Sequence, residues 1–192
     1  MKKTILFLLA AVLLVWAAPL AQAQSRKSLS ADEANQLLQK ITGAWNVELS
    51  TWSPKHRLML KTKGDAKFNT PYLGSYVHEQ FSYGMPDGNT LEGECFISYS
   101  TKQKRFEIAQ VDNAGKNIIL MTGEWFPEYR SIVFKPVEGL NHQAYHTEPG
   151  MQFRYIFLED GSFSKMIHKR NADGAYTLAS LYHYESATAA KK

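Results

Sequence analysis

Apolar residues recur at every second position through most of the chain, from Trp45 to Tyr184. In the first run, Trp45, Val47 and Leu49 alternate with polar residues. A period of two is that of a β-strand with one buried face. The pattern therefore restricts the chain to an all-β fold. It repeats in further segments, at residues 73–82, 91–99, 106–110, 153–157, 163–167 and 176–184.

Turn signals separate these runs. Met85–Asn89, Asp112–Gly115, Asp160-Gly161 and Asp173-Gly174 all combine glycine with asparagine or aspartate. Such turns between successive strands favour an antiparallel meander. An open sheet of about eight to ten strands would leave two edges exposed to pairing with other chains, whereas closure removes both edges. We therefore predict a single antiparallel up-and-down β-barrel of about 8–10 strands.

A short helix is predicted before the first strand. Ser30 and Glu33 have the spacing of a capping box, in which each side chain accepts a hydrogen bond from the other residue's amide. Gly43 is the expected C-terminal cap because glycine adopts positive φ without a steric cost. The helix is predicted to pack over one barrel end through apolar residues at helical spacing, Ala34, Leu37, Leu38 and Ile41.

The N-terminus has the pattern of a secretory signal. Two lysines precede an apolar segment, residues 5–18, and Ala21-Gln22-Ala23 has the small-x-small pattern of a cleavage site. No later segment has the ~20 apolar residues of a membrane-spanning helix. We predict a periplasmic or secreted protein, cleaved after Ala23, without stable membrane insertion. The predicted divisions are a signal peptide (1–23), an N-terminal segment with the helix (24–43), the barrel (44–185) and a disordered tail (186–192).

The charge of the chain argues against a nucleic-acid-binding protein, and its cysteine content excludes a disulfide-stabilised fold. The chain has 22 basic and 18 acidic residues, and removal of Lys2 and Lys3 with the signal leaves 20 basic residues and a net formal charge of +2. The basic residues are spread over predicted turns and strands, so we predict no nucleic-acid partner. Cys95 is the single cysteine, so no intramolecular disulfide forms. It shares its face with Ile97 and Tyr99, which predicts a buried, inert thiol.

Aromatic residues dominate the apolar faces of the predicted strands. The chain has 10 Tyr, 10 Phe and 4 Trp, and a barrel of this size can enclose a cavity with aromatic walls. We predict that the protein binds a small apolar or amphipathic molecule there. Glu79 alternates with Val77 and Phe81 and is a candidate polar anchor. The candidate wall residues are Trp45, Tyr99, Phe106, Phe153, Tyr155 and Tyr182.

Other interpretations stay open. The aromatic residues can simply fill a core, in which case the protein is an envelope interaction module with a packed barrel. A small-barrel enzyme would use a buried carboxylate or histidine for acid–base chemistry.

The sequence contains no common catalytic motif. No Gly-x-Ser-x-Gly elbow occurs, and Ala114-Gly115-Lys116 lacks the first glycine and the terminal Ser/Thr of a phosphate-binding loop. We therefore predict a binding protein without catalytic activity.

Two histidines have a spacing that can chelate a metal ion. His142 and His146 are four residues apart, with Glu148 close behind, as on one face of a helix. In an extended strand the same histidines would lie ~13 Å apart. The neighbouring Pro149 and Gly150 oppose a helix here. The sequence therefore predicts no metal site.

Several short motifs occur in order between about Ile41 and Tyr184. They are Gly43-Ala44-Trp45, Trp52-Ser53-Pro54, Leu73-Gly74, Gly84-Met85-Pro86, Glu92-Gly93, Met121-Thr122-Gly123 and Asp160-Gly161. In these motifs the chain resembles an uncharacterised bacterial family, domain-of-unknown-function family 1579 (DUF1579). The resemblance implies a lipocalin-like barrel and no established activity. Related barrels bind haem through one histidine, for which His168 and His183 are the candidates, although we expect no cofactor.

Overall fold

Ten β-strands form one closed barrel in the part of the chain that the computed structural model describes, residues 29–71, 76–115, 118–137 and 150–188. Helix α1, Ala31–Gln39, precedes the barrel, and a short 3-10 helix, Pro127–Tyr129, links the sixth and seventh strands. The strands are β1 Gly43–Ser53, β2 Leu58–Asn69, β3 Tyr76–Gly84, β4 Thr90–Ser100, β5 Arg105–Asp112, β6 Ile119–Phe126, β7 Ser131–Pro136, β8 Met151–Phe157, β9 Phe163–Arg170 and β10 Tyr176–Ser186.

Each strand pairs with its neighbours along the chain, and the first strand also pairs with the last. The closing ladder between β1 and β10 runs from Trp45 opposite Ser186 to Thr51 opposite Ser180. Because all these pairings are antiparallel, the sheet is an up-and-down barrel. The prediction of an all-β antiparallel barrel with a short N-terminal helix is confirmed, at the upper end of the predicted range of strands.

Helix α1 begins at the predicted capping box. The Ser30 hydroxyl accepts a hydrogen bond from the Glu33 amide at 3.2 Å, and the Glu33 carboxylate accepts one from the Ser30 amide at 2.8 Å. The prediction of Gly43 as the C-cap is wrong, because the helix ends at Gln39 and Lys40 is the C-cap. Gly43 instead starts β1 with a φ of 128°, a conformation that favours glycine.

One end of the barrel, which we call the lower end, is filled by aromatic rings. This end carries the start of β1 and the end of β10, next to helix α1. The indole N–H of Trp45 donates to the Ile41 carbonyl at 2.8 Å, and its ring meets Phe163 edge-on with 4.8 Å between centroids. Phe163 stacks on Tyr184 at 4.2 Å. These three rings are 0–5 % exposed, so the lower interior is a packed core.

Glycines on the inner wall make room for large rings on the adjacent strand. Gly93 pairs with Phe81, and Gly123 pairs with Phe134. A Cβ atom would lie 2.6 Å from the Phe81 ring at the first position and 2.5 Å from the Phe134 ring at the second. Both distances are far below van der Waals contact. The small residues therefore let the rings lie across the inner face of the sheet.

Several segments considered in the sequence lie outside the described residues: the predicted signal peptide (1–23), the segment with His142, His146 and Glu148, and the residues beyond 188. β10 reaches Ser186, and the Ala187 amide still donates to the Ala44 carbonyl at 3.0 Å. None of the helices in the described ranges is long and apolar enough to cross a membrane.

Two tryptophans offer a matched test of the packed lower end. Trp45 is 5 % exposed and Trp52 is 45 % exposed. We expect Trp45→Ala to lower the free energy of unfolding by ~3–5 kcal/mol, because it leaves a cavity and an unpaired Ile41 carbonyl. Trp52→Ala should change it by less than ~0.5 kcal/mol. Urea unfolding followed by circular dichroism measures both, and equal losses would contradict the assignment.

Candidate functional site

A buried carboxylate lies in the middle of the barrel. Glu79 points inward from β3, between Val77 and Phe81, and is 0 % exposed. Its Oε1 accepts hydrogen bonds from the Tyr83 hydroxyl at 2.9 Å and the Tyr184 hydroxyl at 3.2 Å. Its Oε2 has no hydrogen-bond partner in the described structure. Such a group is unusual, because most buried polar atoms are hydrogen-bonded.

A buried lysine faces the same interior. Lys165 lies on β9 between the inward residues Phe163 and Ile167 and is 2 % exposed. Its Nζ donates to the Gln110 Oε1 at 3.0 Å. Within the described ranges no carboxylate oxygen lies within 4.0 Å of this ammonium group. Four ring centroids surround it at 5.1–5.8 Å, those of Phe81, Phe153, Tyr155 and Tyr182.

A chain of polar side chains leads from Lys165 towards the opposite, upper end of the barrel. Gln110 accepts from Lys165 and donates through Nε2 to Asp112 Oδ2 at 3.2 Å. Asp112 is half-buried at the end of β5. Its other oxygen accepts from the amides of Ala114 and Gly115. The turn after β5 therefore fixes Asp112, which in turn orients Gln110 towards the lysine.

Cys95 and Tyr155 lie close to the buried charges. Burial raises the pKa of the Cys95 thiol to about 12, and the negative charge of Glu79 adds to the effect. Burial also raises the pKa of Tyr155 well above its ordinary value. The Tyr155 hydroxyl neighbours the thiol but makes no hydrogen bond of ordinary geometry. A thiol with so high a pKa is a poor nucleophile near neutral pH.

The inward side chains of the barrel become more exposed above Lys165. Below it the inward side chains are almost fully buried, whereas towards the upper end they are partly exposed. We call this region the upper chamber. The hydroxyls of Thr51 and Thr62 face it without a hydrogen-bond partner in the described structure. Its inward residues are Thr51, Leu60, Thr62, Leu91, Asp112, Ile119, Met151, Ile167 and Ser180.

The residues that the sequence nominates as a ligand site divide into two groups. Trp45, Tyr99 and Phe106 lie at the lower end, where the Tyr99 hydroxyl donates to the Leu29 carbonyl at 2.6 Å. Phe153, Tyr155 and Tyr182 surround Lys165 instead. Glu79 is joined to them through Tyr83, which donates to its carboxylate and whose ring lies 5.1 Å from that of Tyr182. The second group surrounds Lys165, and Phe163 joins it to the first, because its ring meets Trp45 at 4.8 Å and Tyr155 at 6.4 Å between centroids.

Sequence reasoning missed Lys165, although a signal for it exists. The lysine occupies the middle of an alternating run, Phe163, Lys165 and Ile167, whose other members are apolar. A charged residue on the buried face of a strand is rare unless it is paired. The same period that predicted the strand therefore marks the lysine as an inward residue.

The described histidines lie in a turn or on the outer wall. His78 stacks on Phe96 at 4.5 Å and contacts the Glu94 carboxylate at 3.1 Å. His183 contacts the Ser164 hydroxyl at 3.2 Å. Burial lowers the pKa of His168, and the positive charge of Arg154 acts in the same direction. Within the described ranges no three His, Cys, Asp or Glu side chains lie together as metal ligands would.

The outer wall also carries an apolar groove of about 430 Å³, lined in part by Tyr76, Phe96 and Leu120. Its charged residues, Arg105 and Glu107, face each other at 3.5 Å. Their charges offset one another, so the groove offers a ligand mainly apolar surface. The interior site differs in holding a buried cation that contacts no carboxylate among the described residues.

The buried acidic groups predict a loss of stability at high pH. Burial raises the pKa of Cys95 to about 12 and also raises the pKa of Tyr83, Tyr155, Tyr182 and Tyr184. Above about pH 9–10 the unfolded chain releases these protons while the folded chain keeps them. The free energy of unfolding should therefore fall with rising pH, by ~1.4 kcal/mol per pH unit for each such group.

Urea unfolding between pH 7 and 11 measures this slope, and absorbance at 295 nm shows when tyrosines ionise. Tyr184→Phe should reduce the slope, because one buried phenol is removed. Tyr129→Phe is the matched control, since Tyr129 is 64 % exposed. Equal slopes for the two variants would contradict the role of the buried phenols.

Comparisons with known proteins agree with the resemblance found in the sequence. No curated protein matches the chain. Among solved structures, a protein of unknown function from the DUF3598 family of Nostoc punctiforme covers 80 % of this chain and 98 % of its own, at 10 % identity and a TM-score of 0.23. A likeness that weak carries no argument. The family described as "protein of unknown function (DUF1579)" matches residues 30–179, so the chain belongs to the DUF1579 family.

Proposed function

We propose that this barrel is an exported binding protein for a small amphipathic molecule with an anionic end. The apolar part of the ligand lies in the upper chamber, and its anionic group approaches Lys165. The observation that carries the proposal is the buried Lys165 ammonium group, which has one neutral hydrogen-bond partner and four aromatic neighbours.

The energetics of Lys165 favour an anionic ligand. Moving an ammonium group from water into a protein interior costs several kcal/mol. Contacts with aromatic rings offset ~2 kcal/mol in a dry site, and one hydrogen bond adds about 0.5–1.5 kcal/mol. The Glu79 carboxylate shares this interior but, among the described residues, does not contact the ammonium group, so Lys165 keeps unpaired N–H groups. A carboxylate, sulfonate or phosphate group would accept hydrogen bonds from the remaining N–H groups of Lys165 and neutralise the charge of its ammonium group.

The wall of the upper chamber suits the apolar part of such a ligand. Leu60, Leu91, Ile119 and Met151 are partly exposed on the inner face and would lose that exposure on binding. Burial of apolar surface contributes ~25 cal/mol per Å² before ordering costs. The packed rings at the lower end set the depth of the site, so the ligand occupies only the upper part of the barrel.

Two fluorescent probes test the site. Anilinonaphthalene sulfonate is anionic, and N-phenyl-1-naphthylamine is a neutral molecule of similar shape. Lys165→Met keeps the volume of the side chain and removes its charge. We expect this variant to bind the anionic probe at least about tenfold more weakly, as for the loss of a charge-assisted hydrogen bond. Its affinity for the neutral probe should change less than about twofold.

Lys67→Met is the matched control, because Lys67 is exposed on the outer wall. It should bind both probes as the unaltered protein does. If Lys165→Met binds the anionic probe with unchanged affinity, the anionic site is refuted. If the unaltered protein binds neither probe, the ligand-binding function is refuted and a packed-barrel interaction module is the better interpretation.

Export is the second part of the proposal and has its own test. Cleavage after Ala23 would leave Gln24 as the first residue of the mature protein. Mass spectrometry of the protein recovered from a bacterial periplasm should therefore identify Gln24 as its N-terminus. Ala23→Arg should leave the signal attached, because the cleavage site requires a small residue. An N-terminus at Met1 in the unaltered protein would contradict export by this route.

A further inference from the structure

We propose that one sector of the upper end docks on the surface of an anionic lipid bilayer. The sector comprises the β1–β2 hairpin and the neighbouring β9–β10 hairpin, which lie side by side because β1 pairs with β10. We call it the basic rim. The inference concerns the outside of the barrel and does not depend on the occupant of the upper chamber. Its defining residues are Trp52, Lys55, Arg57, Leu58, Arg170 and Tyr176. The sector also holds one exposed carboxylate, Asp173 in the β9–β10 turn, which accepts from the Ala175 amide at 3.0 Å.

The basic rim exposes large apolar side chains. Trp52 is 45 % exposed, Leu58 is 47 % exposed and Tyr176 is 43 % exposed. Trp52 faces outward from β1, whereas Leu58 pairs with Ser53 on the inner face. The hairpin therefore carries an apolar residue on each of its faces. Tryptophan and tyrosine are enriched at the headgroup level of membranes, where their rings are partly dehydrated.

The tip between these apolar residues is cationic. Lys55, His56 and Arg57 are consecutive and exposed. No carboxylate of the described chain lies within 4.0 Å of the Lys55 or Arg57 side chain. Each basic residue at an anionic membrane surface adds to the attraction. A bilayer with anionic headgroups complements this tip in both charge and polarity.

The backbone holds the tip in a defined conformation. The Arg57 amide donates to the Ser53 carbonyl at 2.8 Å, and Arg57 has a φ of 53°. A positive φ is uncommon for a residue with a side chain, and Lys104 in the lower hairpin has the same φ of 53°, so this conformation orders the tip without distinguishing the two ends. Lys55 and Arg57 therefore project from an ordered turn rather than from a frayed loop.

Among the residues that the structure describes, the lower end does not combine these properties. Its exposed Tyr129 and Leu158 adjoin Glu128 and Glu159 in sequence, and an anionic surface would repel those carboxylates. The lower hairpin at residues 101–104 carries Lys102 and Lys104, but no exposed large apolar residue. The lower hairpin at residues 101–104 carries positive charge alone, whereas the basic rim carries positive charge together with exposed apolar side chains. Comparing the two therefore separates the effects of charge and of apolar surface. This difference predicts that the upper mouth faces the bilayer.

Vesicle flotation tests the proposal. The protein is used as it is recovered from the expressing cells, so that every variant has the same N-terminus. It is mixed with phosphatidylcholine vesicles, with and without phosphatidylglycerol. We expect partition onto the vesicles that contain phosphatidylglycerol. The double variant Lys55→Glu with Arg57→Glu should lower it at least about tenfold, and Trp52→Ser with Leu58→Ser should also lower it.

Matched controls come from the lower end. Lys102→Glu with Lys104→Glu makes the same change of net charge, and Tyr129→Ser with Leu158→Ser removes comparable apolar surface. Both should change the partition less than about twofold. The proposal is overturned if the control pairs weaken partition as much as the rim pairs, if both kinds of vesicle bind equally, or if neither vesicle binds. Binding to a protein partner without binding to vesicles would also overturn it.

Discussion

Closure of the sheet between β1 and β10 fixes the volume that the inward side chains must fill. A ten-stranded barrel encloses more space than aliphatic side chains fill well, and here aromatic rings occupy most of it. Phe81 and Phe134 lie over Gly93 and Gly123 on the adjacent strands. A side chain at either glycine would overlap the ring, so the rings fit only because these wall positions lack a Cβ atom. Glu79 is built into this packed interior, because Tyr184 donates to its carboxylate and stacks on Phe163.

Local periodicity was enough to predict the architecture. The alternating runs, the hairpin turns and the capping box gave the class of fold and the position of helix α1. Three strands, β2, β6 and β7, have no counterpart among the alternating runs of the sequence. β2 carries Thr62, Gly64 and Ala66 on its inner face, so its pattern lacks bulky apolar residues. β7 is buried on both faces from Ser131 to Phe134, and a strand of that kind does not alternate.

The candidate site was predictable only in part, because it depends on contacts across the barrel. Alternation with Val77 and Phe81 placed Glu79 inside, but its hydrogen bonds join it to Tyr83 on its own strand and to Tyr184 on the last one. Lys165 and Gln110 are 55 residues apart. No sequence spacing encodes that contact. It exists because closure sets β5 and β9 across one interior.

Pairing of the first strand with the last also constrains when the barrel can form. Trp45 pairs with Ser186 in the closing ladder. Contacts of such high sequence separation form slowly, because the ends of a long loop must meet first. A ribosome that still held residues 176–186 would keep the sheet open. The barrel therefore closes only after its final strand is released, and until then both edges of the sheet need protection from aggregation.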